Sequence, residues 1–252
     1  MDREEIRTLA KTKYGADLCG FASVKRFDGF PDEHHPLAIF PEAKTVIVVG
    51  RRILRGAVRV CEERSAMSPY QDFGLSMLED QFLPKTAYDI VIFIEQNGFE
   101  GVPIFGYDVE AASKVYLADP VEEGKPAPNV YIDIAKAAEL AGLGRIGKHG
   151  LLLTPEFGPL QRLSLILTDA ELGEDPLCET PFCEGCDACR TECPYALERR
   201  RCLQCDTGAI QTNFGHFNAI DRMGAACSRA CLASLEKRGL LTKKFAVPFR
   251  EN

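Results

Sequence analysis

The sequence has no tryptophan, few histidines, and no apolar run approaching the roughly 18 residues that a membrane-spanning helix requires. That excludes a helical membrane span. Positive charge is also in deficit, with 30 Lys and Arg against 37 Asp and Glu and a formal net charge of -7. A general affinity for nucleic acid or anionic membranes driven by net charge is therefore excluded, although a local basic patch is not. The first residues, MDREEIRTLAKTKYG, are charged and contain no apolar signal region, so a cytoplasmic protein is expected. Neither an internal repeat nor a low-complexity tract is present.

What is present is a globular composition: 252 residues, 46% hydrophobic and 27% charged. That length builds one large domain or two small ones and buries a core without disulfides or metals. The eleven cysteines consequently need a functional reason, and nine of them fall between Cys178 and Cys231. In a reducing compartment clustered cysteines are metal ligands more often than disulfides.

The pattern before that cluster is mixed helix and strand. Ile6, Leu9, Ala10 and Tyr14 keep helical spacing ahead of Gly15, and Thr45–Gly50 (TVIVVG) reads as a strand buried on both faces. Residues 75–97 carry both periodicities. The reading adopted is a helix over Thr86–Gln96, stopped by Asn97-Gly98, with a strand in GVPIFG at 101–106. Asp119–Asn129 holds three prolines and reads as a loop or lid, Ile132–Ala141 as a helix, and Leu151–Thr154 and Ser164–Thr168 as strands. This alternation predicts an α/β sandwich over residues 1–171, with a second, cysteine-rich domain over 172–252 that lacks strand signals.

The most specific motif is Cys183-x2-Cys186-x2-Cys189-x3-Cys193-Pro194, the spacing of a bacterial ferredoxin loop. In such a loop three thiolates hold one face of a [4Fe–4S] cubane and the fourth, before proline, serves the other cluster. Cys202-x2-Cys205 and Cys227-x3-Cys231 raise the ligand count to eight, enough for two clusters. The crossover rule then predicts one quartet of Cys183, Cys186, Cys189 and Cys231, and another of Cys193, Cys202, Cys205 and Cys227. Cys178 is an alternative ligand, and two structural zinc sites are the alternative chemistry. Cys19 and Cys61 stand alone and read as small buried apolar residues.

Gly142-Leu-Gly144-Arg-Ile-Gly147 matches the dinucleotide fingerprint literally, but here a helix precedes the glycines and a strand follows, the reverse of the Rossmann order. Two readings remain. One is a cofactor-cradling loop with Arg145, Lys148 and His149 beside it; the other is a helix cap followed by a tight turn.

Taken together, the segment Ala141–Gly158 (AGLGRIGKHGLLLTPEFG), Leu165–Asp169 (LILTD) and the cysteine run resemble epoxyqueuosine reductase and its relatives, the reductive dehalogenases. The resemblance is good over roughly residues 130–235. It implies a nitroreductase-like α/β domain followed by a ferredoxin-like double-cluster domain. It also implies an oxidoreductase passing electrons from a donor such as ferredoxin or flavodoxin through two [4Fe–4S] clusters to a cobalamin-type corrinoid, which reduces a small organic substrate. Gly144, Arg145, Gly147, Lys148, His149 and Gly150 would then lie against the corrinoid. Two alternatives stand beside this: an electron carrier that activates a separate corrinoid protein, and a reductase with flavin in the pocket.

The sequence departs from that family at the catalytic aspartate, whose context is replaced by Glu122–Pro128 (EEGKPAP). Asp133 reads as a helix-surface acid. With a net charge of -7 and no helical repeats after the cysteines, tRNA is not the expected partner. His34-His35 reads as loop. Arg199-Arg200-Arg201 reads as a solvated face; offsetting cluster charge or docking an acidic ferredoxin or flavodoxin are the alternatives. Tyr107 and Asp108 lie where an α/β pocket opens.

Overall fold

The computed structural model describes residues 1–105, 122–124, 130–212 and 219–250. Helix α1 (Arg3–Thr12) begins at Asp2, whose carboxylate accepts from the Glu5 amide, and buries Ile6 and Ala10. Strand β1 (Leu18–Ser23) follows, then β2 (Thr45–Arg52), α2 (Arg55–Glu63), α3 (Leu83–Gln96) and β3 (Gly101–Phe105). Beyond it come α4 (Ile134–Leu140), the two-residue strands β4 (Arg145–Ile146) and β5 (Leu152–Leu153), and β6 (Gln161–Thr168). The cysteine region contains α5 (Ala188–Glu192), β7 (Ile210–Thr212), β8 (Ala219–Asp221) and α6 (Ala226–Lys237).

The main sheet has the order β1-β2-β6-β3, every pair antiparallel. As its apolar run predicted, β2 is central, and Val46 to Val49 are fully buried. Alternate residues supply the two faces. Ile47 and Val49 pack with Ile6, Ala87, Ile90 and Ile94 of α1 and α3, whereas Val46 and Val48 pack with Ile132, Ala137 and Ala138 near α4. Each such aliphatic side chain contributes roughly 1.5–3 kcal/mol on burial. Pro103 is accommodated because β3 is an edge strand. The fold class is thus mixed α/β, helices on both faces of one sheet.

The helix read over Thr86–Gln96 begins three residues earlier, with Pro84 in its first turn, where a missing amide costs nothing. Ahead of it, Gln71–Ser76 and Leu78–Phe82 wind as π-helical turns, which propensity does not reveal. Strands β7 and β8 were not legible either, since each is three residues long. Among the described residues no helix is long and apolar enough to cross a membrane.

A third core straddles residue 171. Leu18, Ile53, Val58, Cys61 and Tyr70 from the first part pack with Phe182, Cys189, Cys227, Cys231 and Leu232 from the cysteine region. The two parts share apolar contacts rather than hanging on a linker.

Candidate functional site

The eight predicted ligands sort into two groups. Cys231 lies in the field of Cys189, Cys183 and Cys186, and Cys189 in that of Cys183 and Cys186. Cys227 lies in the field of Cys193, Cys202 and Cys205, and Cys202 in that of Cys205 and Cys193. Helix α6 joins the groups, since Cys227 and Cys231 lie one turn apart on it and feel each other. Burial pushes both thiols up, Cys227 to about 11, and like charges nearby add to the push. Such thiols ionise when a metal replaces the lost hydration.

In the first group, α5 carries Cys189. Burial works against ionisation of Cys186, but the Ser234 hydroxyl at 3.2 Å, the Ala188 amide and the Arg238 and Lys148 charges outweigh it and bring its pKa down. The second group lines a small, largely apolar cavity of about 10 Å³ whose walls include Cys193, Cys202, Cys205, Cys227, Tyr195 and Arg222. Among the described residues, no three His, Cys, Asp or Glu side chains converge on the position of a single metal ion. A tetrahedral zinc centre needs thiolates about 2.3 Å from one point.

The remaining cysteines stay outside both groups. Cys19 and Cys61 are buried, their thiols pushed up to about 12 and about 11, chiefly by burial. Cys178 is half-buried against the third core.

The glycine loop is a hairpin seated on the cysteines. Gly142 ends α4 at φ 75°, and strands β4 and β5 pair Arg145 with Leu153 and Ile146 with Leu152. A Cβ on Gly144 would collide with the Leu153 carbonyl oxygen, so only glycine lets the two strands close. Gly150, at φ 79°, donates its amide to the Gly147 carbonyl and turns the chain back. The helix cap and tight turn are therefore real features, and the hairpin's basic residues face the cysteine loops. The Lys148 amide points at Cys183 Sγ at 3.4 Å, and its Nζ donates to the Cys186 carbonyl at 2.6 Å and to Asp187 at 2.8 Å.

His149 is 2% exposed. Its Nδ1 accepts the Leu151 amide at 3.1 Å, which puts the proton on Nε2, a buried donor with no protein partner. Burial, and next the Arg222 charge, push its pKa down to about 4. The imidazole is neutral at physiological pH. An orphaned buried donor beside two thiol quartets is what a bound group with acceptor atoms would satisfy. Arg145 and Ile146, on the open side of the hairpin, line a second cavity of about 280 Å³ with Thr180, Phe182, Cys183 and Glu184.

Other candidates resolve into structural roles. His34 Nδ1 pairs with the Tyr131 carbonyl and His35 Nδ1 accepts the Leu37 amide. Asp133 caps α4 by accepting the Lys136 amide at 3.0 Å. Of the arginine triplet, Arg201 stacks on Tyr195 with 4.2 Å to the ring centroid. Tyr107, Asp108 and all of the Asp119–Asn129 segment but Glu122–Gly124 lie outside the described residues.

Sequence reading missed a buried polar network beside the quartets. Tyr70 OH donates to Asp221 Oδ2 at 2.7 Å, and Arg162 pairs with Asp221 Oδ1 at 2.7 Å and Glu79 at 3.3 Å. Burial raises the Glu79 pKa to about 7 against the pull of Arg162, and its second carboxylate oxygen has no partner. The available signal was Arg162 itself, a lone charge in the apolar strand QRLSLILT.

No family model matches the chain. It is 44% identical over 64 residues to the tetrachloroethene reductive dehalogenase of Sulfurospirillum multivorans, 24% of this chain and 13% of that protein. To the epoxyqueuosine reductase of Synechococcus sp. (strain CC9605) it is 40% identical over 73 residues, 26% of this chain and 22% of the relative. The chain therefore aligns with less than a quarter of the length of either relative. Among solved structures, the catabolic reductive dehalogenase NpRdhA superposes over 77% of this chain and 25% of its own, with TM-score 0.54 and 18% identity. A selenomethionine-labelled epoxyqueuosine reductase does so over 77% and 52%, with TM-score 0.51 and 18% identity. The chain is thus similar in sequence and fold to two kinds of enzyme, both reductases by name.

Proposed function

We propose that this protein is an iron–sulfur oxidoreductase of the epoxyqueuosine reductase and reductive dehalogenase type, with a nitroreductase-like part and a ferredoxin-like double-cluster part. What supports the reading is the ferredoxin-type spacing of the cysteines, together with the proximity of Cys231 to Cys183, Cys186 and Cys189 and of Cys227, one turn earlier on α6, to Cys193, Cys202 and Cys205. Cys183, Cys186, Cys189 and Cys231 would hold one [4Fe–4S] cluster, and Cys193, Cys202, Cys205 and Cys227 the other. Bound clusters supply one-electron transfer at low potential. The chain's part is to orient the ligands and exclude water. Lys148 pins the first loop through the Cys186 carbonyl, and His149 offers a neutral N–H in a dry interior.

In the relatives' type of chemistry the electrons would go on to a corrinoid and then to a small organic substrate. Within the hairpin, Gly144, Gly147, Lys148 and Gly150 are engaged with the chain itself, so Arg145 on the open side and the unpartnered His149 Nε2–H are the groups left to meet a corrinoid's polar groups. That engagement favours a second reading, an electron carrier serving a separate corrinoid protein. A ferredoxin or flavodoxin is the proposed donor to either.

Anaerobic purification followed by metal analysis and visible spectroscopy tests both. The proposal expects about eight iron atoms per chain, four for each cubane. Zinc with negligible iron would overturn it. A corrinoid band that survives desalting supports the reductase, and its absence after reconstitution supports the carrier.

A further inference from the structure

Resting on the two-cluster reading, we propose that Arg222 is the residue that sets the redox order of the two sites, making the Cys193 quartet the better electron acceptor. Arg222 is 8% exposed and forms part of the wall of that quartet's cavity. Its Nη1 donates to the His149 carbonyl at 2.8 Å, which aims the guanidinium, and its side chain hydrogen-bonds the Cys202 thiol. It is also the largest charge influence on Cys227. The adjacent carboxylate does not neutralise it, because both oxygens of Asp221 are committed to Arg162 and Tyr70.

The Cys183 quartet has cations of another kind. Lys148 is exposed and already paired with Asp187 at 2.8 Å. Arg238 is exposed too and spends its guanidinium on the Phe182 and Glu184 carbonyls. A charge in water acts about fourfold more weakly than the same charge in the protein interior. One-electron reduction makes a thiolate-ligated cluster one unit more negative without breaking a bond. A buried, permanently protonated guanidinium stabilises that state. The second cluster therefore fills first, and electrons entering at the Cys183 side run downhill to the Cys193 side.

The test is an anaerobic redox titration followed by electron paramagnetic resonance, on the full chain and on Arg222→Gln, Arg222→Lys and Arg238→Gln. At the potential where the wild-type second cluster is half reduced, Arg222→Gln should lower its reduced-to-oxidised ratio about tenfold or more. The first cluster should stay put, Arg222→Lys should restore most of the ratio, and Arg238→Gln should change either ratio much less. If neither signal moves, both move alike, or Arg222→Lys shifts as far as Arg222→Gln, the proposal fails. Should Arg222→Gln not assemble its second cluster, the wild-type titration decides. The signal lost in Cys193→Ser must be the first to appear on reduction, and the opposite order overturns the assignment. A wild-type chain without iron would instead refute the two-cluster reading itself.

Discussion

Glu79 is a single residue whose environment makes a measurable demand. It and Asp221 share one arginine, and one of its oxygens is buried without a partner. Its folded pKa, near 7, lies above the ordinary 4.5. A carboxyl raised in this way contributes stability that is fully present below the unfolded value and is lost as pH rises through the folded one. Glu79→Gln keeps the shape and removes the titration. Relative to the wild type, it should gain stability between about pH 5 and pH 8, by up to about 3 kcal/mol at the upper end. Parallel melting profiles across that range would contradict this account. Beyond Arg162, a lone charge in an apolar strand, nothing local in the sequence announces the network, because Tyr70, Arg162 and Asp221 lie 59 to 151 positions apart.

At the scale of elements, the β4–β5 hairpin couples the sheet part to the cysteine part. Its closure depends on Gly144, where any Cβ meets the Leu153 carbonyl. Gly144→Ala should cost roughly 1–3 kcal/mol, the usual penalty for overpacking. The iron content should fall along with the melting temperature, because Lys148 on the same hairpin grips the first cysteine loop. An unchanged melting temperature and full iron would show the hairpin to be dispensable. The glycines are visible in the sequence, and their spacing alone suits a cradle and a turn equally. The turn is what the backbone displays, since the glycine freedom is consumed by contacts with the chain itself. Strand β2 was legible because a continuous apolar run needs two covered faces. The π-helical turns over Gln71–Phe82 were not, because the pattern there satisfies helix and strand alike.

For the molecule as a whole, the cysteine run was the most readable feature because its ligand geometry is local, fixed by spacings of two and three residues. Its long-range half, the return of Cys231 to the first loop and of Cys227 to the second, follows from the crossover rule and is part of the proposal. What spacing could not supply was the common core that packs Cys61 and Tyr70 against Cys189 and Cys227. Nor could it supply the contrast between a buried Arg222 and an exposed Lys148. The central claim is the partition of the ligands, and it is tested most directly by resonance spectra of the reduced chain after single Cys→Ser changes. The account predicts that Cys193→Ser and Cys202→Ser remove one cluster signal while Cys189→Ser and Cys231→Ser remove the other. Loss of the same signal from Cys193→Ser and Cys189→Ser would contradict it.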